Sequence, residues 1–209
     1  MPLTISGGNG GAVIPPAFKI TGFANDKPFN EKGVPVANVN FNWSYQNGSP
    51  VSQSISPHVG SVAAGISNFS LTQILDDDTE FTLNATDGVT PRNAVTQVLF
   101  YYPVLWGVVP NNNPTELDLL AMNKQIGQYN TFTVTLNPVN EHTCFVSPMT
   151  HPITDVKEKI FGLSIWSSYN VINNFPITMA DGLTVPCKIV VKNTSEHTSG
   201  MNFDLEIVF

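Results

Sequence analysis

Hydrophobic and polar residues alternate with period two along most of the chain. Ala37, Val39, Phe41, Trp43 and Tyr45 take one phase, and Asn38, Asn40, Asn42 and Ser44 take the other. Successive strand side chains point to opposite faces, so this segment predicts a strand with one buried and one wet face. It is the first clear strand of the chain. Asn47-Gly48-Ser49-Pro50 supplies turn chemistry after it. A second alternation sets Ile66, Asn68 and Ser70 against Ser67, Phe69 and Leu71, and a third sets Phe81, Leu83 and Ala85 against Thr82, Asn84 and Thr86. Asp87-Gly88 then predicts a hairpin turn, because both residue types tolerate positive φ, and Thr96, Val98 and Phe100 form the return strand.

The stretch from Tyr101-Tyr102-Pro103 to Pro110-Asn111-Asn112-Asn113-Pro114 reads as a seam, since prolines and an Asn run interrupt regular structure. One short helix is predicted just after it, near 115–126, with Thr115 as its cap. The alternation then resumes. Phe132, Val134 and Leu136 alternate with Thr131, Thr133 and Thr135. Phe175, Ile177 and Met179 lead to Asp181-Gly182, and Cys187, Ile189 and Val191 return. Met201, Phe203, Leu205, Ile207 and Phe209 close the sequence. The hairpin pattern Phe81-x-Leu83-x-Ala85-x-Asp87-Gly88 recurs as Phe175-x-Ile177-x-Met179-x-Asp181-Gly182. Short strands at this spacing predict an all-β protein of two tandem β-sandwich domains, 17–103 and 104–209, with the helix at their junction. Residues 1–16 hold Gly7, Gly8, Gly10 and Gly11 and end at Pro15-Pro16. They read as a flexible N-terminal arm, either a plain terminus or one that orders on a neighbouring subunit.

Composition narrows the function. Only 12% of the 209 residues are charged, about half of the usual 25%, and Asn, Ser, Thr, Gly and Pro take their place. Net charge is −7, with nine Lys and Arg in all. Such a chain covers few phosphates, so the expectation is no nucleic-acid partner and no polybasic membrane contact. No apolar run of about 18 residues occurs, so no membrane insertion by a helix is expected. Met1 to Gly8 has neither a basic n-region nor an apolar stretch, so synthesis and folding in a cytoplasm are expected. Cys144 and Cys187 are then expected as free thiols, with a disulfide after release as the alternative.

Candidate chemistry is sparse. His58, His142, His151 and His197 form no i, i+4 pair and no zinc spacing with a cysteine. Asp76-Asp77-Asp78 with Glu80 offers oxygens for Ca²⁺, but at no EF-hand spacing, and reads as a solvated turn. No nucleophile elbow, P-loop or dinucleotide fingerprint is present. Trp43 is in phase with a core face. Trp106 and Trp166 fall in irregular segments, where they are candidates to stack on sugars. Asn42-Trp43-Ser44 and Asn193-Thr194-Ser195 read as chance acceptor triplets. The expectation is no catalytic residue, no metal site, no cofactor and no enzyme.

The order of short motifs carries a resemblance. Val39-x-Phe41-x-Trp43-Ser44 and Ser52-Gln53-Ser54-Ile55 precede Phe81-Thr82-Leu83-x-Ala85-Thr86-Asp87-Gly88 and Phe100-Tyr101-Tyr102-Pro103 with Trp106-Gly107. Cys144-Phe145-Val146-Ser147-Pro148, Ile153-Thr154-Asp155-Val156-Lys157, Phe175-Pro176-Ile177-Thr178 and Phe203-x-Leu205-x-Ile207 follow. Over about residues 18–209 this resembles tailed-bacteriophage virion structural proteins, with tandem Ig-like β-domains around an aromatic junction. It departs from them at Phe145-Val146-Ser147-Pro148, in place of an aromatic-Tyr-Pro stretch, and at the inserted Pro103. The resemblance implies a virion component assembled in the host cytoplasm: a tail, baseplate or fibre-adaptor protein. Its implied partners are other virion structural proteins and copies of itself, as a trimer or hexamer. A capsid decoration or head-fibre protein, and a carbohydrate-binding module for host recognition, stay open as alternatives.

Overall fold

A computed structural model describes residues 16–195 and 202–209. Most of the expected arm, His197 and Met201 lie outside them. The strands are β1 (Lys19–Asn25), β2 (Phe29–Glu31), β3 (Val39–Gln46), β4 (Ser52–Ser56), β5 (Gly60–Val62), β6 (Asn68–Leu71), β7 (Thr79–Thr86), β8 (Pro91–Tyr101) and β9 (Val104–Val109). Helix α1 (Glu116–Leu120) follows. Then come β10 (Asn123–Gln125), β11 (Thr131–Leu136), β12 (His142–Pro148), β13 (Asp155–Glu158), β14 (Leu163–Ser164), β15 (Tyr169–Thr178), β16 (Thr184–Lys192) and β17 (Phe203–Val208). Among the described residues the protein is all-β with one short α-helix.

Its residues divide into two compact units. Unit 1 takes the described part of Met1–Asp26 with Val39–Leu71 and Glu80–Gln97, and unit 2 takes Lys27–Asn38, Thr72–Thr79 and Val98–Phe209. Segments 27–38, 72–79 and 98–103 therefore group with the second half of the chain rather than the first. They fasten to one another. Phe29, Asn30 and Glu31 pair in parallel with Leu99, Phe100 and Tyr101. Val36 bridges Leu75, and the Phe100 amide donates to Asp78 Oδ1 at 2.7 Å.

Unit 1 sets the sheet β1-β3-β6 against β7-β4-β5 and the first part of β8. The inward phase of β3 buries Val39, Phe41 and Trp43, and that of β7 buries Phe81, Leu83 and Ala85. The Phe41 and Phe81 rings meet across the core at 4.8 Å. Two strands precede the first one expected. In β1 the alternation is interrupted by Gly22, at φ +67°, beside a register shift between Thr21 and Ala24. The bulge hides the strand from a period-two reading.

Unit 2 is built on the five-stranded sheet β10-β9-β12-β16-β15 and the four-stranded sheet β11-β17-β13-β14. One face of the larger sheet packs on the smaller one through Phe145, Val190, Val134, Val156, Leu205 and Ile207. Its other face carries a second core of Leu105, Cys144, Val146, Cys187, Ile189 and Val191, to which α1 contributes Leu119. The stretch expected as a seam contains β9, because Val104-Leu105-Trp106-Gly107-Val108-Val109 is strand-forming sequence between two prolines. The helix is shorter than expected. A capping box between Thr115 and Asp118 starts it and Ala121 ends it, and residues 123–125 pair with β9 instead. The repeated hairpin pattern does form similar turns. Asp87 Oδ1 accepts from the Val89 amide and Asp181 Oδ1 from the Leu183 amide, each at 3.0 Å, with Gly88 and Gly182 at positive φ. Gly33, at φ +88°, lies so close to the second turn that a Cβ would stand 2.1 Å from the Asp181 nitrogen. No other residue type fits there.

Strand β17 lies inside its sheet, paired to β11 and β13, with Leu205 and Ile207 buried. Ile207→Ala is expected to destabilise unit 2 by about 2–5 kcal/mol. A chain ending at residue 202 should lose the calorimetric transition of unit 2. An unchanged transition would show that β17 contributes nothing to the core.

Candidate functional site

The best-connected polar side chain is Gln53, which sits in the apolar phase of β4 beside Ile55. It is buried, and its Oε1 accepts from Trp43 Nε1 at 3.1 Å and from the Tyr45 hydroxyl. Its Nε2 donates to the carbonyls of Ala63 and of Ile66, the latter at 2.9 Å. A buried amide is stable only when such partners are supplied. Gln53 thus ties β3 to the 63–66 loop and fixes the indole of Trp43, which is core as its phase predicts.

The opposite phase of β4 faces an open groove of about 630 Å³ with Ser52, Ser54, Ser61, Asn84, Thr86 and Arg92 on its walls. Arg92 Nε donates to the Phe18 carbonyl at 2.9 Å. The lining holds no carboxylate, imidazole or thiol. It can hydrogen-bond a ligand but offers no nucleophile-base pair. A smaller concavity of unit 2, about 330 Å³, is walled by Tyr101, Tyr102, Val104, Lys32 and His151. There His151 Nε2 bonds the Tyr129 carbonyl at 2.7 Å and its ring stacks on Phe209 at 4.7 Å.

The remaining sequence candidates are dispersed. His58 lies edge-on to Phe81, and His142 Nδ1 bonds the Lys192 carbonyl at 2.7 Å. Asp77 approaches Lys32 at 3.8 Å, Asp78 holds the Phe100 amide, and Glu80 accepts from Gln97 Nε2 at 3.0 Å. Among the described residues no three His, Cys, Asp or Glu side chains are placed to hold a metal ion. Trp106 and Trp166 are both half-buried against the inter-sheet core of unit 2. The Trp106 indole nitrogen is buried without a partner, and Lys188 Nζ lies 5.0 Å above the Trp166 ring. Neither offers an open stacking platform.

Cys144 and Cys187 are free and buried. Cys144 pairs with Val191 and Cys187 with Pro148 in the β12–β16 ladder. Four residues of offset put them about 13 Å apart, beyond the roughly 7 Å limit of a disulfide. Burial pushes both thiols up, Cys187 to about 11 and Cys144 further. Burial also pushes the Tyr169 phenol up to about 12, against the hydrogen bond it makes with Thr143.

No family model, no curated protein and no solved structure matches the chain. The protein stands as an all-β sandwich protein.

Two outcomes are expected. Gln53→Leu leaves Trp43 Nε1 and the Tyr45 hydroxyl without their acceptor and should cost about 2–6 kcal/mol in chemical denaturation, at about 1–3 per orphaned group. Gln53→Glu keeps the acceptor and should cost less at low pH than at neutral pH. The raised thiol and phenol values mean that the unfolded chain releases these protons first as pH rises. Their stabilising effect is whole below about pH 9 and is lost through about pH 12. Thermal midpoints should fall over that window, and Cys144→Val with Cys187→Val should shallow the fall.

Proposed function

We propose that this chain is a non-catalytic structural component of a bacteriophage virion, a tail, baseplate or fibre-adaptor protein that works by subunit assembly. The observation that carries the reading is the chemistry of the outward strand faces. Asn40, Asn42 and Ser44 on β3, and Thr131, Thr133 and Thr135 on β11, turn neutral polar groups outward. A charge-poor exterior suits permanent packing against neighbours, because few ions must be desolvated as the interface forms. The motif order from Val39 to Ile207 supports the same reading, with other virion proteins and further copies of this chain as partners and the virion as its location. The half-burial of Trp106 and Trp166 gives no support to a carbohydrate-binding module, which needs exposed aromatic faces.

The test is a phage carrying a nonsense codon in this reading frame, grown on a non-suppressing host. Electron microscopy should show particles halted before completion, and purified protein added to the lysate should restore infectivity. Complete, infectious particles without the protein would overturn the proposal.

A further inference from the structure

Most sheet edges in unit 2 carry a device that discourages pairing with another chain. β2, β10 and β14 are three residues long or shorter. β15 is long, but a register shift falls between Ile172 and Phe175, where Asn174 has φ +58°, and Pro176 removes a donor. β11 has none of these. Its six residues Thr131-Phe132-Thr133-Val134-Thr135-Leu136 pair with β17 without a shift, and among the described residues no strand lies on its other side.

The direction of its free groups follows from the ladder. The Phe209 amide donates to the Asn130 carbonyl at 3.0 Å, so Asn130 and Phe209 are a hydrogen-bonded pair. Such pairs alternate in an antiparallel ladder. Phe132, Val134 and Leu136 therefore spend their amides and carbonyls on β17. Thr131, Thr133 and Thr135 turn theirs to the open edge, and no partner for those groups is found among the described residues. No charged residue occurs between Lys124 and Glu141. Beside the edge, Asp204 accepts from Thr135 Oγ1 at 2.6 Å, and Glu206 lies 3.8 Å from Lys157. In a protein of net charge −7, this edge meets a second copy of itself with no like charge opposite.

We propose that β11 pairs with β11 of a second copy about a two-fold axis, joining two four-stranded sheets into one of eight strands. The pleat restricts the register, because directly opposed residues share a face. Thr133 on the axis sets Thr131 against Thr135 of the copy and Phe132 against Val134. All three outward threonines then fall in hydrogen-bonded pairs, and the two strands exchange about six backbone hydrogen bonds. Val134 on the axis brings fewer of these groups into register. The inference deepens the self-association part of the proposed function and does not depend on the virion.

The test uses the purified full chain. Sedimentation should show a dimer, and Thr133→Pro should be monomeric. That substitution removes only an outward amide, so the β11–β17 bonds remain. Thr133→Cys puts two cysteines about 5.5 Å apart across the axis, within disulfide reach, and should cross-link under mild oxidation. Thr135→Cys faces Thr131 of the copy and should not. The native thiols are buried and do not compete. A monomeric wild-type chain, or equal cross-linking of the two cysteine variants, would overturn the pairing. These two measurements decide the matter even if Thr133→Pro fails to fold, and they are independent of particle assembly in the phage lacking the protein.

Discussion

The second unit depends on one pair of strands that is buried on both faces. β12 and β16 pair from Cys144 with Val191 to Pro148 with Cys187. Phe145 and Val190 point into the core shared with the smaller sheet, while Cys144, Val146, Ile189 and Val191 point into the core on the other side. A strand buried twice can carry no polar face, which is why Cys144-Phe145-Val146 reads as a continuous apolar run. It also accounts for the few polar side chains there. Ser147 is buried, and its hydroxyl accepts from the Ile153 amide at 2.9 Å, so it closes the next loop. The high thiol values of Cys144 and Cys187 are the electrostatic trace of the same burial.

Polar chemistry in the rest of the molecule follows one rule. Most buried polar side chains have a backbone or side-chain partner nearby, with the Trp106 indole nitrogen as the exception. Gln53 joins β3 to a loop, Asp87 and Asp181 close hairpins, and Thr115 with Asp118 starts α1. Among the described residues no three His, Cys, Asp or Glu side chains converge to hold a metal ion. The outward strand faces of β3 and β11 carry neutral Asn, Ser and Thr side chains, and the proposed role in assembly rests on them.

Strands with one buried face were legible in the sequence. β3, β7, β11 and β17 keep the phase of their alternation, and the Asp-Gly turns follow from positive φ. Strands that break period two were not. β1 is split by a bulge at Gly22, and β12 is apolar on both faces. β9 was obscured by the prolines at either end, which bound a strand as readily as they end one. The helix reading overran because Met122 belongs to the core and Asn123–Gln125 form β10 rather than another turn. The role of Gln53 carried a weak signal, a polar residue in the phase of Ile55, and its meaning depends on Trp43, Tyr45 and the 63–66 loop arriving from elsewhere. The direction of the β11 edge was beyond sequence reading altogether, since it follows from which residues bond β17.

A chain that is a fixed part of a particle, held by charge-poor interfaces, must be present in constant number and must resist salt. Both properties are read from the copy number per purified virion by quantitative mass spectrometry. The count is made before and after washing in about 1 M salt, where exposed ion pairs are screened within about 3 Å. The expected result is a constant number of copies, a multiple of three, that the wash leaves unchanged. A variable number, or loss of the protein in salt, would contradict a fixed structural role.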